Sequence, residues 1–152
     1  CQDNETTWLA WIGASDPTGD MARTSDFVAR LAALRREAPV LPSTRWWPAD
    51  PPEGASAIRW LRPDGQPMTQ DDWQAGTALA ILFDNHNGAA REDAGAWLVL
   101  VNAGAQAVNF TLPPGNWRHC LSTDPGHGRD ASPQALGNAV EVPFSSIRIA
   151  RT

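Results

Sequence analysis

The chain has 152 residues, 42% of them hydrophobic, which is enough apolar material for a packed core in one domain or one domain plus a piece of another. Its net charge of −5 argues against a nucleic-acid partner, because displacing counterions from phosphates needs a basic patch. All twelve basic residues are Arg, and eight Trp are available either as core bulk or as flat faces for sugar rings.

The first residues, "CQDNETTWLAWIGASDPTGDMA" (1–22), are polar and rich in turn formers. Trp8 and Trp11 stand three residues apart, a spacing that puts both rings on one side of a short helical turn. A long helix is expected over residues 24–38. Thr24 or Ser25 can cap it, Asp26 suits its first turn, and Phe27, Val28, Leu31 and Leu34 recur at helical spacing. Arg35 and Arg36 suit its end and Pro39 stops it. Its apolar face has no second helix in the chain to pack on, so a neighbouring copy is the expected cover and self-association through 24–38 the expected result.

"PADPPEGAS" (48–56) reads as a connector. Seven β-like runs follow: "AIRWL", "TALAILF", "AWLVLVN", "AVNFTL", "NWRHCL", "AVEVP" and "SIRIA". Turn formers such as "PDG", "NHNG", "PPGN", "DPGHG" and "LGN" separate them. Short strands at this spacing predict a mainly β, antiparallel sandwich rather than alternating α/β. Trp97 is expected in the core and Trp60 leans the same way, each lying inside a β run.

Catalytic chemistry finds little support. Asp71–Asp72 and Glu92–Asp93 are neighbours in sequence, whereas a retaining glycosidase holds two carboxyls about 5–5.5 Å apart from separate elements of a cleft. Both pairs read as solvated turn acids. His86, His119 and His127 lack the local spacing of zinc ligands and read as ordinary surface or loop residues. No phosphate-binding or nucleophile-elbow motif occurs, so no metal and no cofactor is expected. Cys1 and Cys120 form no CxxC, and reduced thiols in a cytoplasmic setting are the expectation. No apolar run approaches the ~20 residues that cross a bilayer, so no membrane partner is expected. A chain starting at Cys1 admits two readings, a lipoprotein anchored through Cys1 or a fragment of a longer protein.

Several segments converge on one family. "CQDNETTWLAW", "FVARLAALRREAPVL", "RWW", "IRWLRPDGQPMTQDDW" and "VNAGAQAVNFTLPPGNWR", in that order, resemble the C-terminal end of bacterial glycogen debranching enzymes, the isoamylase-type members of the α-amylase clan. The resemblance runs through Cys1, which favours the fragment over the lipoprotein. It implies that 1–41 are the last loop and helix of a (β/α)8 barrel and that 42–152 are a C-terminal antiparallel β domain on the barrel's side. It also implies a parent that hydrolyses α-1,6 branch linkages of glycogen-type glucans by a retaining mechanism. The family's three catalytic carboxylates lie upstream of its "CQDNE" segment, so no catalytic residue is expected here. Barrel active sites gather on the loops after the strands. On that ground Gln2, Asp3, Asn4, Glu5 and Trp8 are the expected glucan contacts, positioning sugar rather than moving protons. The alternative is a stand-alone glucan-binding module with Trp46, Trp47 and Trp73 as its platform.

Overall fold

The computed structural model describes residues 3–6, 8, 19–38, 57–84, 95–124 and 134–152. Contacts group the chain into two compact units, Cys1–Glu37 and Ala38–Thr152.

The first unit carries α1, Asp20–Glu37. The helix starts at Asp20 rather than at Thr24 or Ser25. The Arg23 amide already donates to the Gly19 carbonyl at 3.1 Å, so the ladder is running before Thr24. The Thr24 hydroxyl donates back to the Asp20 carbonyl at 2.9 Å, which is the behaviour of a residue inside a helix and not of a cap. Asp20 pairs with Arg23, and Asp26 with Arg30 one turn on at 3.0 Å. No α1 residue is buried, and Met21, Val28 and Leu31 are exposed.

In the second unit all seven apolar runs are strands: β1 (Ala57–Leu61), β2 (Ala78–Asp84), β3 (Trp97–Asn102), β4 (Val108–Thr111), β5 (Arg118–Ser122), β6 (Ala139–Val142) and β7 (Ser146–Arg151). A short helix, α2 (Gln70–Ala75), lies between β1 and β2. The strands form a five-stranded antiparallel sheet in the order β1-β2-β3-β7-β5 and a two-stranded sheet, β4-β6. The fold is therefore mainly antiparallel β and sandwich-like, as the sequence pattern predicts.

Strand alternation places the core between the two sheets. Leu61, Ala80, Leu82, Leu98, Leu100 and Ala150 of the large sheet meet Phe110, Val140 and Val142 of the small one, and Leu112 and Trp117 close the cluster. The Trp117 indole N–H donates to the Pro113 carbonyl at 2.7 Å, so the ring enters the core with its polar atom satisfied. Asn102, at the end of β3, ties the β6–β7 turn to the large sheet. Its Nδ2 reaches the Val142 and Pro143 carbonyls, each at 3.0 Å.

The opposite face of the large sheet is apolar too. By register, Trp60, Ile81, Val99, Ile149 and Leu121 form one row across all five strands. Ile58, Phe83 and Trp97 stand beside it, and Leu79, Val101 and Ile147 on the other side. A solvated antiparallel sheet alternates apolar-in with polar-out, whereas this one carries apolar residues on both faces. Two tryptophans are placed accordingly. Trp97 is buried, but on this second face, with the Arg151 guanidinium 5.7 Å from its ring. Trp60 is not a core residue: Leu61 takes the inward position, and Trp60 faces out with 42% of its surface exposed.

Candidate functional site

Two exposed aromatic sites stand out among the described residues, one in each unit. In the first, Asp3 to Thr6 make a tight turn. The Asn4 side-chain oxygen accepts the Thr6 amide at 3.1 Å, and the Asp3 carboxylate accepts the Trp8 indole N–H at 2.7 Å. The polar residues fold the chain back on itself, since Asp and Asn side chains accept from backbone and neighbours within a few residues. The indole is thus anchored at its nitrogen while 66% of Trp8 remains open. Asp3, Asn4, Glu5 and Trp8 lie together on this stretch; Gln2 falls outside the described residues.

The second site is built by the hairpin after β1. The Gly65 amide donates to the Arg62 carbonyl at 2.9 Å and the Arg62 amide to the Gln66 carbonyl at 2.7 Å. Gly65 takes φ +84°, which a side chain would strain, so "PDG" sets the turn. Arg62 grips Asp64 with two nitrogens, Nε at 3.2 Å and Nη2 at 2.8 Å, and the Gln66 amide donates to the same carboxylate at 3.0 Å. These contacts, the Gln66 amide first, hold Asp64 below the ordinary aspartate range. The Met68 amide then returns to the Trp60 carbonyl at 2.9 Å, bringing the chain back beside β1.

There α2 begins. The Asp72 carboxylate accepts the Thr69 hydroxyl at 2.6 Å and the Thr69 amide at 2.7 Å, which fixes the first turn and lowers the Asp72 pKa. Asp71 and Asp72 are therefore acids of a helix N-terminus, not of an irregular turn. One turn of helix swings Trp73 over Trp60. The ring centroids are 5.3 Å apart and the planes meet at 67°, an edge-to-face pair. Trp73 stays 48% exposed. Of the three tryptophans expected as a glucan platform, Trp73 is the one the structure describes, and its partner is Trp60. Trp46 and Trp47 lie outside the described residues.

His86 and His127 also lie outside them, as do Glu92 and Asp93. His119 is no surface histidine: it is buried on β5, on the inward side opposite Ala150. Arg148, on β7, is also buried facing inward, and desolvation lowers its pKa against the opposing charges of Asp124 and Glu141. Among the described residues no three His, Cys, Asp or Glu side chains gather as metal ligands do, and no helix is long and apolar enough to cross a membrane.

Comparison with known proteins fits this arrangement. The glycogen debranching enzyme C-terminal domain matches residues 52–134, from just before β1 to the segment beyond β5. This chain belongs to that family. Glycogen debranching enzymes of Pectobacterium carotovorum subsp. carotovorum (strain PC1), Pectobacterium atrosepticum and Klebsiella pneumoniae (strain 342) are 40%, 41% and 37% identical to it over 119 residues. The aligned stretch covers 78% of the chain and 15% of each relative's length. The debranching-family match takes in the hairpin, α2 and the Trp60–Trp73 pair, while α1 and the Asp3–Trp8 turn lie before it.

Proposed function

We propose that the chain is the C-terminal, non-catalytic part of a glycogen debranching enzyme, whose intact form hydrolyses α-1,6 branch linkages of glycogen-type glucans by a retaining mechanism. In this reading 1–41 complete the catalytic barrel and 42–152 are an accessory β domain. The family match over β1 to β5 is the observation that carries it. Membership in a domain family that relatives carry as a small part of a much longer enzyme favours an accessory role over an enzyme complete in itself.

Several of the described acids, though not all of them, serve the fold: Asp20, Asp26, Asp64 and Asp84 each pair with an arginine, and Asp72 serves Thr69. A retaining glycosidase needs one carboxylate free to attack and one free to shuttle a proton, across a shared cleft. The second face of the large sheet supports the accessory role. Beyond Trp60, which Trp73 overlies, it spans the four strands β2, β3, β7 and β5, about 15 Å at the usual strand spacing, and apolar patches of that extent mark surfaces meant to be covered. We assign it to contact with the catalytic part of the enzyme. Glucan contacts, in this account, are made by Asp3, Asn4, Glu5 and Trp8 together with Gln2.

Incubating the purified polypeptide with a branched glucan and following the release of linear chains tests the claim. No release above a protein-free control is expected; turnover overturns the non-catalytic assignment.

A further inference from the structure

The Trp60–Trp73 pair has chemistry that neither the fold nor the accessory role uses. The indoles are half-exposed, yet each rests on the other, and their backbones are fixed, Trp60 by strand pairing and Trp73 by a helix whose first turn Asp72 locks onto Thr69. Rigid, flat and apolar surfaces of this kind bind with little loss of side-chain freedom. The Arg62–Asp64 fork follows Trp60 by two residues on the same hairpin, and the Met68 amide, donating to the Trp60 carbonyl at 2.9 Å, brings the start of α2 back beside that hairpin.

The composition of this patch selects among ligands. One arginine stands against three aspartates, Asp64, Asp71 and Asp72, so the patch repels phosphates and other anions. An apolar protein surface would strip water from the exposed ion pair without replacing its hydrogen bonds, at a net loss. A neutral polyol suffers neither penalty. Its C–H faces lie on the indoles, and its hydroxyls both donate to Asp64 and accept from Arg62.

The angle narrows the choice further. Two coplanar rings suit a flat, extended sugar chain. Rings inclined at 67° suit a chain that turns from one sugar to the next, as an α-1,4-linked glucan does. We infer that Trp60 and Trp73, rimmed by Arg62 and Asp64, form a binding site for linear α-glucan segments. The choice of sugar rests on the glucan reading above, but the site needs no catalysis, so it stands or falls by direct binding.

Titrating maltoheptaose into the full 152-residue chain, with the indole N–H resonances and calorimetry as readouts, tests the inference. Binding is expected, and it should weaken by at least about 10-fold in Trp73→Ala, the change carried by about 1.4 kcal/mol. Trp73 lies on an exposed helix face, so that variant should keep the parent's circular dichroism. Asp64→Asn, which leaves both indoles in place, should weaken binding by a smaller factor. Cellohexaose, flat and β-linked, should bind at least about 10-fold more weakly than maltoheptaose. Absence of maltoheptaose binding overturns the site. So does binding unchanged in Trp73→Ala, and equal binding of cellohexaose overturns the α-glucan assignment. Failure here leaves the hydrolysis test untouched, which separates the two readings.

Discussion

Asn102 gives the sharpest test of the packing. It is 1% exposed, at the point where β3, the β6–β7 turn and the loop after β3 meet. Its Nδ2 lies 2.8 Å from the Gln106 carbonyl and 3.0 Å from those of Val142 and Pro143, and its Oδ1 accepts the Gly104 amide at 3.0 Å. Nδ2 has two hydrogens for three acceptors, so one hydrogen is shared. That leaves three full hydrogen bonds, at about 1 kcal/mol net each, and Asn102→Ala should lose about 3 kcal/mol. Asn102→Asp keeps the shape but turns a carboxylate oxygen toward three carbonyls in a buried site. Once ionised it should be worse than alanine, because the oxygen in place of Nδ2 faces only carbonyl acceptors and the Gly104 amide alone cannot offset the buried charge. Urea unfolding followed by circular dichroism reads both, with the midpoint shifting and the slope unchanged. An Asn102→Ala loss below about 1 kcal/mol, or an Asp variant more stable than the Ala variant at neutral pH, would mean that these hydrogen bonds do not hold the β6–β7 turn to the sheet.

Phe110, fully buried between the sheets, should lose about 3–5 kcal/mol on replacement by Ala in the same urea experiment. Arg148 should respond in the opposite sense. It is 3% exposed, and its Nε and Nη2 have no hydrogen-bond partner among the described residues, so Arg148→Met should leave the thermal midpoint equal or higher; a clear drop would show a partner. Asp64 and Asp72 have lowered folded-state pKa values, so their contribution is present above the ordinary aspartate range and is lost as pH falls through the lower folded values. Asp72→Asn should therefore flatten the acid unfolding curve below about pH 4; a parent-like curve contradicts this. For α1, sedimentation should show the parent chain as a larger species than Val28→Asp/Leu31→Asp, and a strictly monomeric parent at high concentration rules out association through this helix.

The seven strands could be read in advance because each is a short apolar run closed by turn formers, and "PDG" encodes its turn in Pro63 and Gly65. What the pattern left open was which way each strand faces. In "AIRWL" both parities are apolar, Ala57 and Leu61 on one side and Ile58 and Trp60 on the other, so alternation cannot say which side meets the small sheet. For that reason the pattern predicts Trp60 in the core, whereas the fold turns it outward. The helix α2 is six residues long, too short for a periodic stripe, and its one signal is the Thr69–Asp72 spacing of a capping box. Thr24 and Ser25 have cap chemistry and so predict a later start for α1; the helix instead runs through them from Asp20. The Trp60–Trp73 pair depends on two features that the pattern does not encode, an outward strand residue and a one-turn helix. Its proximity could not be read from the thirteen-residue separation alone.

Exchange of the domain between enzymes tests whether this chain is the accessory C-terminal part of a debranching enzyme. In the Pectobacterium carotovorum enzyme the 119 aligned residues, 15% of its length, would be deleted in one variant and replaced by the matching stretch of this chain in another. Debranching of glycogen by equal amounts of soluble protein is then compared. The replacement should restore activity that the deletion lacks. A replacement that folds yet debranches no faster than the deletion would contradict it.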